Sequence, residues 1–72
     1  MSDFSPSRLR ARREAANLAR EHLAVACNRS VQAVYRWETG RGTPSRPSIV
    51  LMARCIGCKV ADLLCEPSGV AS

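Results

Sequence analysis

Residues that end helices divide this chain into short segments. Asn17, Asn28, Gly40 and Gly57 belong to the two residue types that most readily adopt the left-handed backbone conformation found after the last turn of a helix. No alternating strand pattern, internal repeat or low-complexity block lies between them. A chain of 72 residues punctuated in this way is expected to form one small all-α domain.

The apolar residues between these stops recur at helical spacing. They predict a first helix over 6–16, a second from Ala19 to Cys27, a third over 31–38, a fourth between Ser45 and Gly57, and a last short turn over 60–64. The run GRGTPSRPS at 40–48 predicts a basic turn or loop. We expect residues 1–66 to form the domain and residues 67–72 to be a flexible tail.

The charge of the chain indicates a polyanionic partner. Lys and Arg outnumber Asp and Glu by eleven to six, which gives a net charge of +5. Ten of these eleven cations are arginines, whose planar guanidinium group matches phosphate and guanine edges. Nucleic acid is therefore the first candidate, and a solvated basic face is the alternative that charge alone leaves open.

Neither a membrane span nor an export signal is predicted. The longest apolar runs, 23–27 and 49–53, are far shorter than the roughly 20 residues that cross a bilayer. The first residues lack the apolar stretch and small-residue cleavage site of a signal peptide. We expect a soluble, cytoplasmic protein in a reducing compartment, with no membrane partner.

Four cysteines leave three interpretations open. Cys27, Cys55, Cys58 and Cys65 could form two disulfides, but disulfide frameworks belong to secreted chains. The Cys55 and Cys58 spacing is that of half a zinc site, and a small zinc-dependent module is one hypothesis. The favoured interpretation is that Cys27 and Cys58 are small apolar residues of the core, so that no metal or other cofactor is expected.

The second and third helices carry the main functional signal. Only three residues, 28–30, separate them, which requires the sharp turn of a helix-turn-helix. If Val34 and Trp37 face the core, Gln32 and Arg36 lie together on the opposite side of the third helix. In a DNA major groove, Arg can donate two hydrogen bonds to guanine and Gln can pair with adenine. The surrounding arginines suit phosphate contacts: Arg20, Arg29, Arg41 and Arg46.

The stretch 9–64 resembles the Cro-like and phage-repressor helix-turn-helix proteins, also called the XRE family. The matching residues are Leu9, Arg10, Arg13, Leu18, Leu23-Ala24, Ser30, Val34, Arg36-Trp37-Glu38, Gly40, Pro44-Ser45, Met52-Ala53, Ile56-Gly57 and Leu63-Leu64. The resemblance implies a compact five-helix bundle of the lambda-repressor-like type.

The resemblance also implies roles for single residues. It places Val31, Gln32, Tyr35 and Arg36 in base-facing positions, and Arg20, Arg41 and Thr43 in backbone-contacting positions. It implies a structural ion pair between Arg13 and Glu38.

The sequence departs from the family pattern at four positions. Ala19 replaces the usual Ser or Thr cap and Arg20 replaces the usual Gln, so an irregular start of the second helix is expected. Arg29 fills a position that is normally apolar, so either its stem covers the core or the turn is shifted. Val31 offers only apolar contact to a base, such as a thymine methyl group. His22 is expected on the surface without a role.

These observations favour a sequence-specific transcriptional regulator, a Cro-like repressor that occupies an operator, over an enzyme or a protein with a small-molecule substrate. Val50 and Leu51 lie outside the apolar stripe of the fourth helix and predict a homodimer, which would bind a palindromic operator. The alternative is an antitoxin-like or adaptor module that binds another protein through Val50, Leu51 or the tail and has weak, non-specific DNA affinity.

Overall fold

The computed structural model describes residues 3–65. Over this range it contains four α-helices and one 3₁₀ turn: α1 Pro6–Ala15, α2 Arg20–Cys27, α3 Val31–Glu38, α4 Arg46–Ile56 and the 3₁₀ turn Val60–Leu63. The all-α prediction is confirmed for these residues, since β-type pairing among them is limited to one isolated bridge. The expected fifth helix is a single 3₁₀ turn, because its four residues lie between the Gly57 stop and the extended backbone of Leu64.

The helix starts follow the predicted caps. The hydroxyl groups of Ser5, Ser30 and Ser45 accept hydrogen bonds from backbone N–H groups in the first turns of α1, α3 and α4, at 3.2, 3.1 and 3.4 Å. Such caps satisfy N–H groups that have no partner within the helix. Pro6 and Pro47 lie in first turns, where a missing N–H has no cost.

The helix ends also follow the stop signals. Asn17 and Asn28 have φ angles of 60° and 56°, and Gly40 and Gly57 have φ angles of 77° and 88°. All four therefore adopt the left-handed conformation that their residue types tolerate. Helix α1 ends at Ala15, one residue earlier than predicted, because Ala16 is already its C-terminal cap.

The start of α2 is capped by a residue to which the sequence assigned no role. Ala19, the N-cap, has no side-chain acceptor, and the Nδ1 atom of His22 accepts a hydrogen bond of 2.9 Å from the Ala19 N–H instead. His22 is exposed, as predicted, and its bond to the Ala19 N–H is a structural role that the sequence did not indicate. This bond is the half of a capping box that the third helical residue supplies, and the other half is missing because Ala19 has no acceptor for the N–H groups of the first turn.

The core lies where the helices meet. Helix α2 packs against α3 and α4, while the 3₁₀ turn packs against α1 and α4. Within the described residues, the buried hydrophobic side chains include one large ring, that of Trp37, and are otherwise small or aliphatic: Leu9, Leu23, Ala24, Cys27, Val34, Trp37, Ile49, Met52, Ala53 and Leu63. The predicted apolar stripe of α3 is confirmed as a core face, and that of α4 is buried except for the half-buried Ile56. In α2, Leu23 and Cys27 of the predicted stripe are buried, whereas Ala19 is exposed and Ala26 is half-buried.

All four cysteines are free thiols. Cys27 is buried, and its thiol donates to the backbone oxygen of Ser48 at 3.5 Å. Burial raises the pKa of the Cys27 thiol, and it raises that of Cys58 as well. Within residues 3–65, no three His, Cys, Asp or Glu side chains are grouped as metal ligands would be. The core role expected for Cys27 is thus confirmed, whereas Cys58 is only half-buried.

The two ends of the described chain are joined by backbone hydrogen bonds. Phe4 and Leu64 form an isolated antiparallel bridge, and the Ser5 N–H donates to the oxygen of Leu63 at 2.9 Å. This closure brings the start of α1 against the 3₁₀ turn and was not predicted.

The tail predicted at 67–72 lies outside the described residues. None of the helices described is long and apolar enough to span a membrane.

Candidate nucleic-acid interface

The turn between α2 and α3 has the sharp geometry that its sequence predicts. Asn28 takes the left-handed conformation, and the N–H of the next residue, Arg29, donates to the oxygen of Ala24 at 2.9 Å. Ser30 then caps α3 through the N–H of Ala33. The orientation of α3 relative to α2 is therefore set by local hydrogen bonds on both sides of the turn.

The two sides of α3 have different environments. Val34 is fully buried and Trp37 is 6% exposed, so the inner side of α3 belongs to the core. Gln32 and Arg36 are exposed, and they lie one helical turn apart. Val31 and Tyr35 are exposed on the same helix, the latter by 45%. We call these four residues the outer surface of α3. The structure thus brings together the side chains for which base contacts were predicted.

The C-terminal end of α3 is anchored by a buried carboxylate. The side chain of Glu38 is fully buried, and it accepts hydrogen bonds from Nε and Nη2 of Arg13 at 2.6 and 3.2 Å. Nη1 of Arg13 also donates to the backbone oxygen of Leu18, at 2.8 Å. The hydrogen bond with Glu38 raises the pKa of the Arg13 guanidinium, against the opposing effect of burial. This fork geometry fixes α3 against α1 by charge-assisted bonds.

A second arginine reaches the same carboxylate. Nε of Arg20 donates to Oε1 of Glu38 at 3.0 Å, and the Arg20 guanidinium carbon lies 5.2 Å from the centroid of the Tyr35 ring. Arg20, for which a phosphate contact was predicted, is therefore held within the protein from two sides. The Arg20 side chain is 33% exposed. Sequence reasoning missed this arrangement because Arg20 and Glu38 belong to different helices.

Arg29 resolves the alternatives left by its unusual position. Its guanidinium carbon lies 5.9 Å from the centroid of the Trp37 ring, while the residue as a whole is exposed. The guanidinium group thus lies over the indole ring of a core residue, where the family pattern has an apolar side chain. The turn between α2 and α3 therefore carries an exposed positive charge.

The loop after α3 and the first residue of α4 supply further exposed polar groups. The N–H of Arg41 donates to the backbone oxygen of Arg36 at 2.8 Å, which ties the start of the loop to α3. Arg41, Thr43 and Arg46 are exposed, whereas Pro44 between them is buried. In the sequence, Arg29 precedes α3 and these three residues follow it, which gives three positive charges and one hydroxyl group of the kinds that contact phosphates.

The comparisons with known proteins agree with this geometry. Residues 7–64 match the sequence model described as a helix-turn-helix domain. Among solved structures, the chain is similar to the restriction-modification controller protein C.AhdI from Aeromonas hydrophila, with 28% identity, a TM-score of 0.74, and coverage of 81% of this chain and 88% of that one.

A second similar structure supports the fold alone. The hypothetical transcription factor NHTF from Neisseria has 24% identity and a TM-score of 0.74, with coverage of 92% of this chain and 76% of that one. A search of curated proteins gave no match. Since the family match covers α1 to the 3₁₀ turn, this chain belongs to the helix-turn-helix domain family, and within it to the Cro-like, DNA-binding kind.

Proposed function

We propose that this protein is a sequence-specific transcriptional repressor of the Cro-like kind, which acts by occupying an operator and blocking access to it. The observation that carries the proposal is the division of α3, whose Val34 and Trp37 are buried while Gln32 and Arg36 are exposed. A helix fixed on one side and polar on the other fits a DNA major groove, which admits one α-helix.

The four residues of the outer surface of α3 divide the base contacts among them. Arg36 would donate to the O6 and N7 atoms of a guanine, and Gln32 would pair with the N6 and N7 atoms of an adenine. Val31 and the ring of Tyr35 offer apolar contacts to thymine methyl groups. Each bidentate contact contributes about 1 to 3 kcal/mol of discrimination against a wrong base.

Residues beside the outer surface would contact the DNA backbone. Arg29 precedes α3, and Arg41, Thr43 and Arg46 follow it. All four are exposed, so they can reach phosphates on both sides of a groove occupied by α3. These contacts would set the position of the protein on the duplex without reading its sequence.

A homodimer would bind two such sites at once. On α4, Leu51 is 38% exposed and Val50 is half-buried, which leaves apolar surface available for a second copy of the chain. Two recognition helices related by a two-fold axis lie about 34 Å apart on DNA and read a palindrome. Sedimentation of the wild-type protein and of Leu51→Lys would test this, since the variant should sediment as a monomer and lose affinity for the full site.

The decisive experiment is selection of a preferred sequence from random DNA duplexes, followed by affinity measurements at two or more salt concentrations. We expect the wild-type protein to select one preferred sequence. Arg36→Ala should discriminate less between that sequence and its single-base variants. Arg10→Ala is the matched control, because Arg10 is an exposed arginine of α1 outside the proposed interface. Failure of the wild-type protein to select any sequence would instead favour a module whose main target is another protein.

The similarity to a restriction-modification controller suggests a second candidate function. The chain would then control genes of a restriction-modification system through the same outer surface of α3. Occurrence of the selected sequence upstream of such genes in the source genome would favour this role, and its occurrence elsewhere would favour a different regulatory target.

A further inference from the structure

Arg20 has two contacts within the protein that set it apart from the other arginines near α3. Its Nε atom donates to Glu38, and its guanidinium group lies over the Tyr35 ring at 5.2 Å. A guanidinium group at this distance is attracted to the face of an aromatic ring. Tyr35 itself belongs to the outer surface of α3, so Arg20 joins the buried anchor to a residue placed for base contact.

Glu38, to which Arg20 is hydrogen-bonded, is itself held in place. The Glu38 carboxylate is fully buried and is held by two hydrogen bonds from Arg13. Tyr35 and Glu38 are three residues apart on α3, so their side chains are neighbours across the border between its exposed and buried sides. Arg20 therefore bridges a fixed carboxylate and an exposed ring, and its own side chain is only one-third exposed.

We propose that Arg20 is a positioning residue for base recognition, which holds the Tyr35 ring in one orientation on the outer surface of α3. This inference rests on the proposed function, because it concerns how the same surface reads DNA. An exposed ring that is free to change rotamer loses this freedom on binding, whereas a ring already held loses less. A held ring also meets a base at one fixed place, so a wrong base at that place is rejected more strongly.

This role differs measurably from a phosphate contact. A phosphate-contacting arginine contributes to affinity for every sequence, and its removal lowers the slope of log K against log salt concentration by about 1. A positioning residue contributes to the ratio of affinities for right and wrong sequences, and its removal leaves the slope near its wild-type value. Arg41→Ala, at a residue proposed to contact phosphate, supplies the reference for the first behaviour.

The experiment compares Arg20→Gln in the wild-type and the Tyr35→Leu backgrounds. The measured quantity is the affinity ratio between the selected duplex and duplexes with single base changes, at several salt concentrations. We expect Arg20→Gln to lower the ratio at one base pair by roughly three- to tenfold, which is the scale of one immobilised side chain or one exposed cation–π contact. In the Tyr35→Leu background it should have no further effect.

Two outcomes of that experiment would overturn the inference. One is a slope lowered by about 1 with an unchanged affinity ratio, which would identify Arg20 as a phosphate contact. The other is an equal loss of the ratio in both backgrounds, which would show an effect on α3 as a whole. Thermal unfolding of each variant shows whether the fold is kept.

A measurement without DNA separates this inference from the proposed function. In a proton NMR spectrum of the wild-type protein, the Arg20 Nε–H resonance should be shifted upfield by the Tyr35 ring, and Tyr35→Leu should remove that shift. Absence of the shift overturns the inference even when the wild-type protein selects a DNA sequence. Failure to select any sequence, with the shift present, overturns the proposed function and with it the positioning role.

Discussion

The inner and outer sides of α3 are built from opposite kinds of interaction. On the inner side, Glu38 is fully buried and bonded to Arg13 and Arg20, and Val34 and Trp37 complete the core. On the outer side, Gln32 and Arg36 are exposed to solvent. The inner side therefore determines where the helix lies. The side chains of the outer side can differ without disturbing the core, so they can suit a binding partner.

This difference implies that stability and recognition can be changed independently. A substitution on the inner side should lower the free energy of unfolding and have little direct effect on which DNA sequence is preferred. A substitution on the outer side should change specificity with little effect on folding. The three variants below test this separation, and their expected effects on stability decrease from the first to the third.

Glu38→Gln should cause the largest loss of stability. The substitution removes the negative charge but leaves Arg13 buried, with a side chain only 9% exposed. Breaking a buried ion pair in this way costs about 3 to 5 kcal/mol. Glu14→Gln is the matched control, because Glu14 is half-exposed in its pair with Arg10 and approaches Arg13 only at 3.9 Å, without a hydrogen bond. This substitution should cost at most about 1 kcal/mol. Equal unfolding free energies for the two variants would show that the inner side is not the anchor.

His22→Ala should cause a smaller loss. It removes the acceptor for the Ala19 N–H and frays the first turn of α2, where Arg20 begins the helix. Loss of a helix cap costs about 0.5 to 2 kcal/mol in the free energy of unfolding. Ala19→Ser in the same variant adds a hydroxyl acceptor for the N–H groups of the first turn and should recover part of the loss. A free energy of unfolding of His22→Ala equal to that of the wild-type protein would mean that the His22 bond does not stabilise α2.

Gln32→Ala should leave stability nearly unchanged. Gln32 is exposed, and surface substitutions of this kind change the free energy of unfolding by no more than about 0.5 kcal/mol. Discrimination at one base pair should nevertheless fall by about 1 to 3 kcal/mol. Chemical denaturation and affinities for the selected duplexes measure the two effects, and a variant that loses stability instead of discrimination would contradict the separation of the two sides.

Local signals were sufficient to predict the helices. Ser30 and the stop at Gly40 predicted α3 over 31–38, and the structure has Val31–Glu38. Asn17 and Asn28 predicted left-handed residues, and both have positive φ angles. Capping and stop signals depend on residues adjacent in sequence, which explains why they can be read without knowledge of the fold.

Interactions between residues far apart in the sequence were harder to predict. The Phe4–Leu64 bridge and the position of Arg20 over Tyr35 depend on how helices pack. The His22 cap is local, but histidine is not among the residues preferred at the start of a helix, so its spacing from Ala19 gave no signal. The pairing of Arg13 with Glu38 followed only from the family resemblance, because no periodicity links positions 25 residues apart.

We propose above all that Arg36 on the outer surface of α3 contacts a guanine in the major groove. Protection of guanine N7 from dimethyl sulfate measures this directly, because N7 lies in that groove and accepts the proposed hydrogen bond. The wild-type protein should protect a guanine of the selected duplex that Arg36→Ala, at saturating concentration, leaves reactive, with the other protected positions unchanged. An identical protection pattern for the two proteins would contradict the account.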